Sequence, residues 1–308
     1  MSKTGEALPA AGRCAACGAD RLGPHLRTAG YAGKQGLIPT TDDFGTAFSD
    51  IVRCSQCGHM QLARFPPDAF LASAYGEAES SAYVEEETGQ RATGRRVLDH
   101  IERRQEVGSL LDLGCWVGFL LAEARDRGWR TAGVEPSRFA SAYARDVLDL
   151  PVQTADLFHA DLGDRRFDAI ALGDVIEHLI EPGAALDHVN GLSCADGVIH
   201  LTLPDAGSRL ARVMGSRWWS VIPTHVQYFT RHSITVLLER HGWSVEEITT
   251  APKAFSVGYY LRRLGGYSPA LSRGAVRLAA RARVVDRLWA PDFGDRMAVL
   301  ARRTRAAP

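Results

Sequence analysis

The chain has 308 residues, 45% hydrophobic and 23% charged, with 36 Lys plus Arg against 36 Asp plus Glu. This length suggests about two units, the composition argues against disorder outside the ends, and the balanced charge gives no field to draw in a polyanion, so nucleic acid is not the expected partner. The first residues, MSKTGEALPAAGR, lack the apolar stretch of a signal peptide, and no later run approaches the roughly 18 apolar residues that cross a bilayer; the expectation is a cytoplasmic protein without a membrane span.

The first pattern along the chain is a pair of cysteine knuckles, CAACG (Cys14, Cys17) and CSQCG (Cys54, Cys57). Two residues between thiolates let both face one ion, and the glycine that follows, Gly18 or Gly58, permits the tight turn. Four thiolates close a tetrahedral site, so the expected metal is a structural zinc, with His59 a neighbour rather than a ligand. Cys115 and Cys194 stand alone and read as small packing residues. Residues 1–64 are therefore expected to form a zinc-ribbon module that metal, rather than a core, holds together. Pro66-Pro67 breaks the chain, and helical spacing then runs to Ile101, which makes 65–107 a helical connector.

From Gly108 strands alternate with helices: SLLDLG then VGFLLAEARDRG, RTAGVEP then SRFASAYARDVL, VQTADL, FDAIALGDV, a helix from about Pro182 to Leu192, and GVIHLTLP. That alternation predicts an α/β unit with a parallel sheet. The helix RHSITVLLERHG follows, and WSVEEITTA and DRMAVLARRT read as closing strands around an Arg-rich helical insertion at about 252–292. The DLGCWVG stretch, Asp112 to Gly118, sits where a strand gives way to a helix, and there glycines let backbone approach a ligand. Glu135 ends the next strand, near the place where an acid meets ribose hydroxyls in nucleotide-binding βαβ units. The position that needs glycine in a dinucleotide GxGxxG is Trp116, whose bulk crowds a pyrophosphate. An adenosine ligand without pyrophosphate fits better.

DLGCWVG, GVEPS, TADL, FDAIALGDVIEHLIEP and GVIHLTLP, in this order over most of 108–303, resemble class I S-adenosylmethionine (SAM)-dependent methyltransferases. The resemblance implies a Rossmann-like, seven-stranded, mostly parallel sheet with helices on both faces, here in residues 108–308. It further implies that Gly114 and Gly118 line the methionine moiety, that Asp112 orients its amino-acid end, that Glu135 holds the ribose, and that Asp156 with Leu157 flanks the adenine. Asp156 reads equally as a loop residue capping the next helix.

Methyl transfer from a sulfonium is an in-line displacement, so the protein must align the acceptor and remove a proton from a hydroxyl or acidic carbon. His225, in IPTHVQYF, is the favoured base, with His178, in GDVIEHL, as the second candidate; Tyr228 could bind the acceptor, and the rings of Trp218 and Trp219 could wall its pocket. Each of these also reads as a packing residue. Asp174, Glu177 and His178 would share one face of a helical turn and, with His225, could ligate a divalent metal. A similar ExxEH arrangement occurs in ubiquinone-pathway O-methyltransferases and small-RNA 2′-O-methyltransferases, with Asp174 here in place of the first Glu.

A ribbon joined to this core, through CxxCG, VRCSQCGHMQL, a connector with Tyr75 and Tyr83, and HVQYF, resembles the NDP-hexose C-methyltransferases and related saccharide and natural-product enzymes. This chain has Thr224 where their loop has Glu. The resemblance implies that the N-terminal unit helps cover the acceptor, with Tyr75 and Tyr83 near it. The expected function is methylation of a sugar or specialised metabolite at oxygen or carbon. An rRNA methyltransferase gripping phosphate with Arg273, Arg277, Arg281 and Arg287 is the rival enzyme reading, and a non-catalytic SAM-fold binding protein the rival outside enzymes.

Overall fold

A computed structural model describes residues 11–31, 44–67, 71, 75–78 and 81–304. Most of the stretch read for a signal peptide, and parts of the module and connector, therefore lie outside the described residues. In chain order the N-terminal module contributes β1 (Leu22–Leu26), β2 (Ile51–Cys54) and β3 (Met60–Leu62), and the connector ends in α1 (Glu87–Glu102). The expected alternation follows as β4 (Ser109–Leu113), α2 (Phe119–Asp126), β5 (Arg130–Glu135), α3 (Arg138–Asp146), β6 (Val152–Thr154), β7 (Phe167–Gly173), α4 (Pro182–Leu192) and β8 (Ser193–Pro204). The last segment begins with α5 (Arg209–Met214), β9 (Gln227–Tyr228), α6 (Arg231–Arg240) and β10 (Trp243–Thr250), then passes through two helices of the insertion, α7 (Val257–Arg263) and α8 (Pro269–Arg281), to β11 (Arg296–Arg303).

The main sheet has seven strands in the order β10-β11-β8-β7-β4-β5-β6. Only β11 runs antiparallel, inserted between β8 and β10. Alternate residues of its central strands face two separate cores, as a doubly covered sheet requires. Leu110, Ala169, Val198 and Leu300 pack with α1, α2 and α3 through Leu98, Leu121 and Ala144. Leu111, Ile170, Ile199 and Val299 pack on the other face with α4 and α6 through Leu186 and Leu237. The seven-stranded, mostly parallel sheet with helices on both faces is thus present.

Local signals explain the helix starts. Ser137 caps α3 by accepting from the Ala140 amide, Pro182 occupies the first turn of α4, and Thr230 and Ser233 close a reciprocal capping box on α6. Arg273, Arg277 and Arg281 lie on the exposed side of α8, and Arg287 follows it in the open.

The N-terminal module does not stand apart as its composition suggested. Its sheet runs β1-β2-β3-β9, so its fourth strand is Gln227–Tyr228, from the HVQYF loop of the main unit, paired antiparallel with Met60 and Gln61. Its apolar interior is shared: Ile51, Met60 and Leu62 pack with Trp218, Val221, Val226 and Tyr228. Cys14, Ala16, Cys54 and Cys57 belong to the same buried cluster as α4 and α6. Arg240, in the last turn of α6, donates to the Ala16 carbonyl at 2.7 Å.

Candidate active site

At the tips of β4 and β5 the chain turns in a way few side chains tolerate. Gly114 has φ 77°, and a Cβ there would come within 2.5 Å of Val175 Cγ2. Trp116 also sits in the left-handed region, at φ 50°, a costly state for a bulky residue. What holds it is Glu135: the Trp116 amide donates to Oε2 and the Ser137 amide to Oε1, each at 2.8 Å. The acid is thus fixed by the backbone of both strand-to-helix turns, and a carboxylate has lone pairs left for two further donors. Burial pushes the Glu135 carboxyl up to about 7, against the pull of the Ser137 and Trp116 amides.

Glu135, Gly114 and Trp116 line a cleft of about 410 Å³ with Asp156, Leu157, His178, Tyr75 and Tyr83, among others. Asp156 caps no helix: its Oδ1 accepts from the Phe158 and His159 amides at 2.9 and 3.1 Å, closing a turn, and the residue borders the cleft. Two expected residues stand behind the wall. Asp112 is 4% exposed, its carboxyl raised to about 7 by burial and then by the Glu135 charge. Gly118 is required by packing, since a Cβ there would lie 2.6 Å from Leu150 Cδ1 and 3.2 Å from Ala144 Cβ.

The histidines meet beside the other end of the cleft, which His178 lines and His225 does not. His178 Nδ1 lies 2.8 Å from the Thr224 carbonyl and His225 Nδ1 2.8 Å from the Ser220 carbonyl. A carbonyl only accepts, so each Nδ1 carries the proton and each Nε2 keeps its lone pair. The rings stand edge to face at 4.7 Å, and burial, the largest cause for each, lowers both pKa values. Beneath them Glu177 is 1% exposed with neither oxygen hydrogen-bonded, and burial, reinforced by Asp174, raises its carboxyl to about 8.

The expected shared face of Asp174, Glu177 and His178 does not form. Asp174, at φ 56°, is held by Lys253 and Arg296, whose charges keep its carboxyl far below the usual range despite burial. The ligand atoms that do converge, all within 4.8 Å of one another, belong to Glu177, His178 and His225. Two imidazoles and a carboxylate in this tautomeric state suit a divalent ion.

Tyr228 lies outside the cleft lining. Its hydroxyl donates to the His225 carbonyl at 3.1 Å and its ring is buried with Met60 and Trp218, so it supports the loop from behind. Trp218 is likewise core, its Nε1 donating to Asp295 at 2.9 Å, whereas Trp219 faces a second cavity. Tyr75 and Tyr83 do border the cleft. The Tyr75 hydroxyl donates to the Thr224 carbonyl at 3.4 Å and its ring meets His178 edge-on at 5.5 Å. Nothing in the sequence pointed to Lys253 and Arg296, which reach Asp174 from the two ends of the insertion.

The four ribbon cysteines converge within 4.8 Å, with Cys14 Sγ 3.5 Å from Cys57 Sγ and Cys17 Sγ 3.6 Å from Cys54 Sγ. Thiolates about 2.3 Å from a tetrahedral zinc stand roughly 3.8 Å apart, so the set fits that ion. Gln61 braces the first knuckle, accepting from the Ala15 amide at 2.8 Å and donating to the Arg13 carbonyl at 3.0 Å. His59 is no ligand: its Nε2 meets Gln227 Oε1 at 2.9 Å.

A family model described as a methyltransferase domain matches residues 86–248, more than half of the chain. The chain belongs to this methyltransferase family. The match spans β4 to β10, hence the glycine turn, Glu135 and the histidine pair, and it supports SAM as the cofactor of this methyltransferase. Solved structures are similar at low identity. One is a chain of the complex between the Haloferax volcanii Trm112 methyltransferase activator and a methyltransferase, 15% identical, covering 78% of this chain and 97% of its own, with a TM-score of 0.50. Others are the Synechocystis magnesium protoporphyrin IX methyltransferase with bound SAH (S-adenosylhomocysteine; 15% identity, 77% and 94% covered, TM-score 0.49) and the Burkholderia thailandensis 1,6-didemethyltoxoflavin N1-methyltransferase (14%, 81% and 97%, 0.48). No curated protein matches the sequence significantly. Among the described residues no helix of this methyltransferase is long and apolar enough to cross a membrane.

Proposed function

We propose that the protein methylates a small-molecule acceptor, a sugar or a specialised metabolite, at oxygen or carbon, with His225 as the base and His178 beside it. One observation carries this reading: His178, which lines the cleft with Glu135, and His225, buried against it, are neutral imidazoles with their Nδ1 protons spent on backbone carbonyls and their Nε2 lone pairs free. Glu135 would accept from the ribose hydroxyls, Gly114 would lie along the methionine chain, and Asp156 and Leu157 would flank the adenine. Asp112 would act on the amino-acid end from behind the turn, and Gly118 would act through packing alone. When bound, SAM supplies an electrophilic methyl: the acceptor bonds to its carbon as the carbon–sulfur bond breaks and sulfur keeps the electron pair. His225 Nε2 would take the acceptor's proton. Tyr75 and Tyr83 would close the cleft from above, and zinc on Cys14, Cys17, Cys54 and Cys57 would be structural.

Incubating the protein with labelled SAM and a panel of nucleotide sugars and hydroxylated metabolites tests the reading; SAH binding without transfer to any small acceptor would leave the rRNA-methyltransferase and binding-protein alternatives. A second reading is favoured by the two unpartnered, buried oxygens of Glu177. There Glu177, His178 and His225 would hold a divalent ion, which would supply Lewis-acid polarisation of the acceptor hydroxyl. Activity lost to a mild chelator, with zinc still on the cysteines, and restored by magnesium or manganese would select it.

A further inference from the structure

A second cavity, of about 400 Å³, opens between the insertion and the module, within the roughly 300–1,000 Å³ of small-molecule pockets. Its walls are rings: Trp219, Phe255, Tyr259, Tyr260, Trp289 and Phe293 all border it. They contact one another rather than fill the space. Phe255 stacks on Tyr259 at 4.1 Å, Tyr260 meets Trp289 edge-on at 5.4 Å, and Trp219 meets Phe293 at 5.6 Å. Trp289 and Phe293 remain 46% and 49% exposed. Packing alone gives no reason to gather large rings around an open space, whereas a flat guest would cover their faces. The Tyr260 hydroxyl is turned away, donating to the Lys253 carbonyl at 2.6 Å, so this residue offers its ring.

The inner end of this cavity is the back of the cofactor cleft. Lys253 and Arg296 line the cavity and hold Asp174, which lines the cleft. Phe255 lines the cavity and meets Tyr83, a cleft residue, edge-on at 6.1 Å. Ser220, whose carbonyl orients His225, is on the cavity wall as well.

We propose that this cavity is the acceptor subsite and that its acceptor is a planar aromatic molecule bearing a hydroxyl, not a nucleotide sugar. The inference rests on the methyltransferase reading above and narrows its acceptor class. The rings stack against a flat π-system, and the hydroxyl points inward to Lys253 and Arg296, beside the histidines. A diphosphate would need cations of its own. Here Lys253 and Arg296 are already shared with Asp174, and Arg263 lies over the Phe44 ring at 5.0 Å.

The test is calorimetric titration of the full chain with 2-naphthol in the presence of SAH, and separately with UDP-glucose. The expected result is one-to-one binding of 2-naphthol, no binding or displacement by UDP-glucose, and at least a roughly tenfold loss of naphthol affinity in Trp289→Ala, with SAH affinity and melting temperature unchanged. Phe293→Ala, at an equally exposed ring, repeats the measurement should the first variant fold poorly. Naphthol binding that neither substitution weakens, failure of naphthol to bind while SAH does, or displacement of naphthol by UDP-glucose overturns the inference and leaves the methyltransferase reading intact. Failure of SAH itself to bind strikes that reading instead.

Discussion

The two ends of the cleft are built in different ways. The end proposed for the nucleoside comes mainly from three short stretches, 114–118, 134–137 and 155–157, each at a strand tip and tied to the next by hydrogen bonds to Val134 and Glu135. The acceptor end is gathered from residues 75, 174–178, 219–225, 253 and 296, held by long-range contacts: Tyr75 to Thr224, His178 to Thr224, Asp174 to Lys253 and Arg296. Behind it stands a four-strand sheet contributed by both the module and the main unit. Perturbing one end should therefore leave the other standing.

The strongest blow to that division is metal removal. Stripping zinc from the four cysteines withdraws binding energy on the order of 10–16 kcal/mol from the shared sheet, and turnover should vanish while SAH, held at the far end, still binds by calorimetry. Persistent turnover in the zinc-free protein would erase the division. Next in size is His225→Ala, expected to lower kcat about 100- to 10,000-fold with SAH affinity unchanged, as read by single-turnover kinetics. Glu135→Ala is its mirror image: losing two charge-assisted hydrogen bonds at about 1.5–3 kcal/mol each should weaken SAH about 100-fold or more, while zinc content stays at one per chain.

Smaller effects sharpen the boundary. Gln227 accepts from His59 Nε2 through Oε1 and donates from Nε2 to the carbonyls of Leu179 and Ile180, at 3.2 and 3.0 Å. Gln227→Leu should cost about 1–3 kcal/mol in denaturant unfolding and reduce turnover more than SAH binding. Glu135 and Asp112 give the least, as a pH effect of opposite sign in two measurements. Both carboxyls are raised to about 7 by burial, so the ligand-free fold binds their protons more tightly than the unfolded chain does. Their contribution to stability is whole below about pH 4 and is lost as pH rises through about 7. SAH affinity should instead rise over that window, because the ionised acid is the better acceptor, and Glu135→Gln should flatten both trends.

The same contrast governs what could be read from the residues alone. The glycine turn, Glu135 and the knuckles each lie within a few consecutive residues, where spacing dictates geometry. The closing strands were legible too, β11 from its continuous apolar run Met297–Ala301 and β10 from its β-branched residues. Asp174 was placed with Glu177 and His178 on helical spacing, but its left-handed φ and two distant cations turn it elsewhere. Tyr228 sits beside the favoured base in sequence, yet a strand alternates sides, and pairing with Met60 sends its ring into the core. The ring-lined cavity draws on residues from 219 to 296, which no local pattern connects.

The borrowed strand also sets a timetable for biogenesis. The module's thiols emerge early from the ribosome, but Gln227, which meets His59, lies 168 residues further on. At roughly 5–20 residues per second, translation leaves that sheet with an open edge for roughly 10–30 s. The four thiols are all in the chain by residue 57, but the sheet beside them is completed only at residue 227, and a nascent chain truncated before residue 227 should be the form most prone to aggregate.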